Sequence, residues 1–260
     1  MNIELNTFTV VEAIRTEPKI TLDLITDQPI NSVKSNLIED MLGYNGFITE
    51  IRDSTIYGTL IDSDSYNQVR SMYLGDSLNA AVKSLNIKPL VTGVPDLNQE
   101  FFALNELSWS CLCRLMSYLP SEYFWYCSSD EVKVFKKPDS FRTCIASEFH
   151  SDLINARYLP KNLILDSEHN PSYHSIYSVP VCKLAKENAL FSSDMIRNNM
   201  QNYIYRGNIY SNNMILTCMD TYGIGEGLSV NGVNYMVVFR STTFDKNYAL
   251  KTSTYKLVGV

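Results

Sequence analysis

Acid–base or metal chemistry needs titratable side chains that can meet, and the sequence brings them close in only a few places. His150 has Glu148 and Asp152 beside it and Cys144 upstream, the residue types of a nucleophile and its base. Working triads converge from distant segments and need a third group to orient the base, so this stretch reads as a solvated polar loop. His169 and His174 flank Pro171, with Asp166 and Glu168 nearby, which are residue types that hold zinc. No further short-range ligand pair joins them, and the reading is again a surface loop. The six cysteines (Cys111, Cys113, Cys127, Cys144, Cys182, Cys218) form no CxxC pair. Buried reduced thiols are the expectation.

Gly223-Ile224-Gly225-Glu226-Gly227 has the look of a phosphate-cradling loop, but such glycines must open a helix. The residues that follow, Leu228-Ser229-Val230, are strand-like, so the glycines read as a turn between strands. Asp62-Ser63-Asp64-Ser65-Tyr66 resembles half of a calcium loop without the glycine and glutamate that complete it. Trp109 and Trp125 suggest sugar stacking, yet one lies in an amphipathic pattern and the other among aromatics, and both read as core. No carboxylate pair stands out for glycoside hydrolysis. The sequence therefore assigns no catalytic, cofactor-binding or metal-binding residue, and the chain is expected to be no enzyme.

The elements that would position such residues change period along the chain. Residues 1–66 read as a first β-module: Ile20-Thr21-Leu22-Asp23-Leu24 alternates apolar and polar side chains, and Asp53-Ser54 is a tight turn between two strands. Residues 31–41 read as a short helix or irregular excursion within it. Residues 67–142 hold two helices and an aromatic hairpin. The first helix starts at Asp76 or Ser77 and places Leu78, Ala80, Ala81, Val82 and Leu85 on one apolar face. In the second, Asn105 is the expected cap, Leu107, Cys111, Leu112, Leu115 and Leu119 form the apolar face, and Pro120 stops it. Tyr123-Phe124-Trp125-Tyr126-Cys127 then turns at Ser128-Ser129-Asp130 into Val132-Lys133-Val134-Phe135. Residues 143–205 are a loop-rich connection with a modest helix at 194–203. Residues 206–260 are strands again, with Asn231-Gly232 as a two-residue hairpin turn. The fold class expected is α+β and β-rich, with two small antiparallel barrel-like modules flanking an α/β middle.

Length and composition bound the function. The chain has 260 residues, enough for a core without staples, and a net charge of -6, which argues against a protein that coats nucleic acid. No apolar run approaches the roughly 18 residues of a membrane span. The N-terminus has no basic, apolar leader pattern, so synthesis and folding in the cytosol are expected. Seventeen tyrosines, with many Asn, Ser and Thr, suit either solvated strands or a subunit whose surface is covered by neighbours.

Two stretches carry a resemblance. Leu104-Asn105-Glu106-Leu107-Ser108-Trp109-Ser110-Cys111-Leu112-Cys113-Arg114-Leu115, then Tyr123 to Tyr126 and Val132 to Phe135, resemble a signature of contractile-tail hubs, the phage baseplate hub proteins and the hub part of type VI spike proteins. Leu228-Ser229-Val230-Asn231-Gly232, Tyr235-Met236-Val237-Val238 and Tyr248-Ala249-Leu250-Lys251-Thr252 resemble the last barrel of the same family. The family often has a glycine before the aromatic strand, where this chain has Pro120-Ser121-Glu122. The resemblance implies a homotrimeric structural subunit of the virion tail baseplate, assembled in the host cytoplasm. Its ring would adapt a sixfold tail tube to a threefold central spike. The implied partners are further copies of itself, the tube protein, the spike protein and other baseplate proteins, with genomic DNA passing through the lumen unbound and no membrane binding by this chain. No cofactor is implied. A receptor- or glycan-binding tail module is the alternative, and a hydrolase with unlocated carboxylates the third.

Overall fold

A computed structural model describes residues 3–30, 32, 35, 37–120, 122–144, 149–150, 162–165, 171–174, 180–183, 213–218 and 220–260. The first block is five strands, β1 (Ile3–Ala13), β2 (Lys19–Thr26), β3 (Leu37–Met41), β4 (Tyr44–Arg52) and β5 (Thr55–Thr59). A 3-10 turn (Ser63–Tyr66) leads into β6 (Gln68–Val69), β7 (Met72–Ser77), α1 (Leu78–Ser84), β8 (Leu90–Thr92), β9 (Asn98–Ala103) and β10 (Glu106–Leu107). Then come α2 (Ser108–Met116), β11 (Tyr123–Cys127) and β12 (Glu131–Lys136). Short strands follow: β13 (Arg142–Cys144), β14 (Phe149–His150), β15 (Asn162–Leu165), β16 (Pro171–His174), β17 (Pro180–Lys183) and β18 (Asn213–Cys218). The last hairpins are β19 (Gly227–Val230), β20 (Val233–Asp245) and β21 (Leu250–Gly259). The expected helix at 194–203 lies outside the described residues.

The molecule is β-rich with an α/β insertion, and its strands at the two ends of the sequence pair with each other. β1 runs antiparallel to β20 from Thr7 against Asp245 to Ala13 against Phe239, so both β-blocks belong to one sheet of 11 strands. Its main path is β14-β18-β21-β20-β1-β2-β5-β4-β3, with β19 and β13 branching from β20. The path is open among the described residues; it does not close into a barrel. Each end of the sheet nonetheless has its own core. Phe8, Val10, Ile20, Ile38 and Leu60 fill one, and Leu216, Leu228, Met236, Val237, Tyr255 and Leu257 fill the other.

The α/β insertion forms a third core. Ser77 caps α1 by accepting from the Ala80 amide, and Leu78, Ala81 and Val82 face inward as the spacing predicts, whereas Ala80 is exposed. α2 begins later than its sequence suggests. Asn105 takes a left-handed φ of 57° and turns the chain into β10, so it caps nothing. The helix opens at Ser108, whose amide and hydroxyl both donate to the Asn67 carbonyl, a backbone acceptor that no local pattern reveals. Cys111, Leu112, Leu115 and Met116 are buried, and Leu119 is buried beyond the helix end. The aromatic hairpin β11–β12 pairs as expected, from Tyr123 against Lys136 to Cys127 against Val132. It meets the large sheet where Ile14 bridges Tyr126 and the Arg15 amide donates to the Trp125 carbonyl.

The segment read as helix or excursion contains the edge strand β3 instead. Leu42 and Gly43 both have positive φ, 54° and 80°, the geometry of a two-residue hairpin turn between β3 and β4. Leucine disfavours that region, which hid the turn from the sequence. Asp53 (φ 52°) and the Asn231-Gly232 pair (51° and 78°) turn as read. Gly46 has a different role: a Cβ there would lie 2.0 Å from the Thr59 carbonyl oxygen, so β4 crosses β5 as closely as backbone allows.

In chemical denaturation, Leu115→Ala should cost about 2 to 5 kcal/mol, because its side chain is wholly buried. Ser110→Ala, on the exposed face of the same helix, should stay within about 0.5 kcal/mol. Equal small losses would contradict the packing of α2.

Candidate assembly surfaces

Among the residues that suggested catalysis, Cys144 serves the packing of the core. Cys144 is buried at the end of β13 and accepts a 3.2 Å hydrogen bond from the Tyr222 hydroxyl. His150 lies in β14 opposite Ile215, and His174 in β16 opposite Asn162; His169, Glu148, Asp152, Asp166 and Glu168 lie outside the described residues. Gly223-Ile224-Gly225-Glu226 is the expected turn: the Glu226 amide donates to the Gly223 carbonyl, and β19 follows. The half calcium loop is a capped turn with its own cation. Asp62 accepts from the Asp64 amide, and the Lys88 ammonium sits 2.6 Å from Asp62 and 3.4 Å from Asp64. Among the described residues no group of three His, Cys, Asp or Glu side chains could hold a metal. Trp109 and Trp125 pack edge to face at 6.0 Å, with Trp125 in the core of the insertion and Trp109 against it.

Cys111, Cys113, Cys127, Cys144 and Cys218 are free thiols, three of them buried and Cys113 and Cys218 half-buried. Burial pushes the thiols of Cys111 and Cys113 up to about 11 and that of Cys127 to about 12, which keeps them protonated and poorly nucleophilic at neutral pH.

The strongest buried electrostatic contact joins β1 to β20. Glu12 is 3% exposed and is gripped by Arg240 through two guanidinium nitrogens, Nε at 2.8 Å and Nη2. The remaining Arg240 nitrogen, Nη1, donates to the Tyr222 carbonyl at 3.3 Å. The Tyr44 and Tyr126 hydroxyls have their pKa raised first by burial, with the charge of Glu12 adding to it. Elements from all three cores thus meet at one charge pair.

Two uncovered surfaces differ in chemistry. The small sheet β7–β9 carries Met72, Tyr73 and Phe102, and Leu104 and Leu107 follow it, all exposed. Tyr73 and Phe102 face each other across the ladder with ring centroids 5.4 Å apart. Arg114 of α2 holds this segment in place by donating to Glu106 and to the Phe102 carbonyl. The guanidinium hydrogen bond draws the Glu106 carboxyl below the usual carboxylate range, against the burial that would raise it.

The second surface is the face of the large sheet opposite Phe8 and Val10. Strand register sets Thr252, Thr243, Thr9 and Thr21 side by side across β21, β20, β1 and β2. An adjacent row runs through Thr217, Thr254 and Ser241, and a third through Asp245, Thr7, Asp23 and Thr55. Thr9 and Thr243 share a 3.0 Å hydrogen bond, Thr217 and Thr254 one of 3.4 Å, and Thr7 and Thr55 both donate to Asp23. Sequence reading registered the threonine content as strand-forming but missed the rows, because the first and third align only once residues more than two hundred positions apart are paired.

No family model matches the chain, and no curated protein matches it by sequence. Solved structures do match its fold. The tail protein from Neisseria meningitidis MC58 aligns over 98% of this chain and 92% of its own, with a TM-score of 0.60 at 11% identity. A 43 kDa tail protein of prophage MuSo2 from Shewanella oneidensis covers 98% and 94%, with a TM-score of 0.56 at 12% identity. The Escherichia coli c3393 protein covers 100% and 74%, with a TM-score of 0.50 at 10% identity. That protein is described as a component of the type VI secretion system with structural similarity to the T4 tail proteins gp27 and gp5. This chain has the fold of these tail proteins.

Breaking the Glu12–Arg240 pair should be costly because it strands a charge. Glu12→Ala is expected to lose about 3 to 5 kcal/mol in urea unfolding, whereas the paired change Glu12→Leu with Arg240→Met should recover most of it. A double variant as unstable as the single one would place the loss in packing instead. A pH effect follows at Glu106. Its lowered folded pKa contributes stability that is complete above the unfolded value of 4.5 and is lost as pH falls through the folded one. Glu106→Gln should therefore flatten the acid limb of a melting-temperature profile below about pH 4.5 and leave the alkaline limb unchanged.

Proposed function

We propose that this chain is a structural subunit of a phage-tail baseplate hub. It forms a homotrimeric ring that adapts the sixfold tail tube to the threefold central spike. The observation that carries the reading is the likeness to tail proteins along essentially the whole chain, in a sheet with a separate core at each end. Two cores on one sheet suit a subunit that presents two barrel-like wall segments, one from residues 1–66 and one from residues 206–260. Residues 67–142 and 143–205 then supply the contacts outside the wall. The partners in this reading are two further copies, the tube protein, the spike protein and other baseplate proteins, with the exposed apolar segment at Tyr73 and Phe102 as one contact. The virion tail is the site of action, and the chain has no catalytic role.

Sedimentation velocity of the full chain, alone and mixed with the tube and spike proteins from the same genome, tests the proposal. A species of three copies, present alone or formed on mixing, is expected, with subunits burying well over about 1,000 Å². A monomer at tens of micromolar in both conditions would overturn it.

A further inference from the structure

We infer that the outer face of the β7–β9 ribbon is the docking site for an amphipathic helix of another protein, one that sets an apolar stripe on Tyr73, Phe102 and Leu104 and turns lysines or arginines toward Asp76 and Glu100. The inference rests on the tail-subunit reading above, which makes this segment a contact, and adds the chemistry of the partner. The two faces of the ribbon differ. Leu74, Phe101 and Ala103 are buried in the core of the insertion, where α1 packs against them. On the other face Phe102 is 46% exposed and Leu104 62%, and the Tyr73 ring stands edge-on to Phe102. Single exposed apolar side chains are ordinary, but adjacent ones mark a contact.

An extended chain is blocked from joining the ribbon as a third strand. In a strand the carbonyl of one residue and the amide two residues on project to the same side, the pair that a neighbouring strand engages. On β9 that pair belongs to Phe102 and Leu104, and both groups are taken: Arg114 Nη2 donates to the Phe102 carbonyl at 2.6 Å, and the Leu104 amide donates to Glu106 Oε1 at 3.2 Å. The Arg114–Glu106 ion pair thus fills the place of a strand. The β7 ladder shifts register on both sides of Gly75, and its Leu74 carbonyl accepts from the Ser84 hydroxyl at 2.7 Å. Irregular, occupied edges resist strand addition. The ribbon leaves its side chains open, and a helix covers such a face while satisfying its own backbone.

Charge sets the partner's composition and direction. Asp76 and Glu100 are the only charged side chains of β7 and β9, and both are exposed. Register puts them at one end of the ribbon, since Gly75 lies opposite Phe101 and Ser77 opposite Asn98. Asp96, also exposed, precedes the same end. The cations that neighbour the ribbon in sequence are placed elsewhere. Arg70 comes before Met72 at the opposite end, Lys83 is on α1, which packs on the inner face, and Arg114 is committed to Glu106. An apolar centre with carboxylates at one end complements a helix whose stripe runs into a basic turn. A second copy of the ribbon laid on this face would bring carboxylates and no cation.

Overlapping labelled peptides of about 25 residues, long enough for several helical turns, drawn from the other tail proteins of the same genome, test the inference by fluorescence anisotropy with the full chain. At least one should bind, with apolar residues at i, i+3, i+4 and i+7 and Lys or Arg at one end. Phe102→Asp should weaken that binding at least about tenfold, and Tyr73→Ser replaces it if Phe102→Asp lowers the melting temperature. Asp76→Lys with Glu100→Lys should weaken binding at least about threefold at about 50 mM salt and by less at about 500 mM. The docking assignment is overturned if no peptide binds, if the aromatic variants leave binding intact, or if charge reversal leaves it unchanged or strengthens it. A wild-type trimer that Phe102→Asp reduces to monomers in sedimentation velocity would also overturn it, because a second copy would then cover the face. Absence of a wild-type trimer, with peptide binding as expected, would instead overturn the ring alone.

Discussion

The structure depends on the antiparallel pairing of β1 with β20. Without it the two β-blocks would be separate sheets with exposed edges, and the α/β insertion would have no fixed place to dock. The pairing is secured by burial of Phe8 and Val10 on one side, by the Thr9–Thr243 hydrogen bond on the other, and at its inner end by Glu12 and Arg240. A buried ion pair gains little over an apolar one of equal volume, but a shifted ladder would leave each charge alone in the interior. The pair therefore acts on register more than on stability, and register is what aligns the threonine rows.

Local signals were legible where one residue's conformational preference decided the outcome. Asn231-Gly232, the Ser77 cap and the aromatic hairpin all follow from types that tolerate few alternatives. The reading failed where a distant group took over. Asn105 has the right chemistry to cap a helix, but the Asn67 carbonyl satisfies the first amide of α2 and releases Asn105 to turn the chain. Leu42 has the wrong chemistry for a hairpin turn, and Gly43 together with the β3–β4 ladder holds it there. Cys144 is a related case: it gains its partner from Tyr222, far along the chain, in a contact that packs the core.

Fold likeness at 10 to 12% identity shows how little of a tail-protein sequence the architecture constrains. What this chain brings to that architecture is a sheet polar on one face and apolar on the other, with an insertion joined to its middle. Many sequences satisfy that requirement, since threonine, serine and valine exchange readily on a pleated surface.

The span between Glu12 and Arg240, 228 residues, also sets a schedule for making the protein. At about 5 to 20 residues per second, translation leaves β1 without its neighbour for about ten to forty-five seconds after it emerges. Throughout that interval one side of β1 presents unsatisfied amides and carbonyls beside Phe8 and Val10, the combination that recruits other nascent chains. Thr7 and Thr9 on its opposite face lessen that hazard by keeping the middle of the waiting strand hydrophilic on that side. The same threonines that make one face of the folded sheet polar would thus protect the subunit while it is still being synthesised.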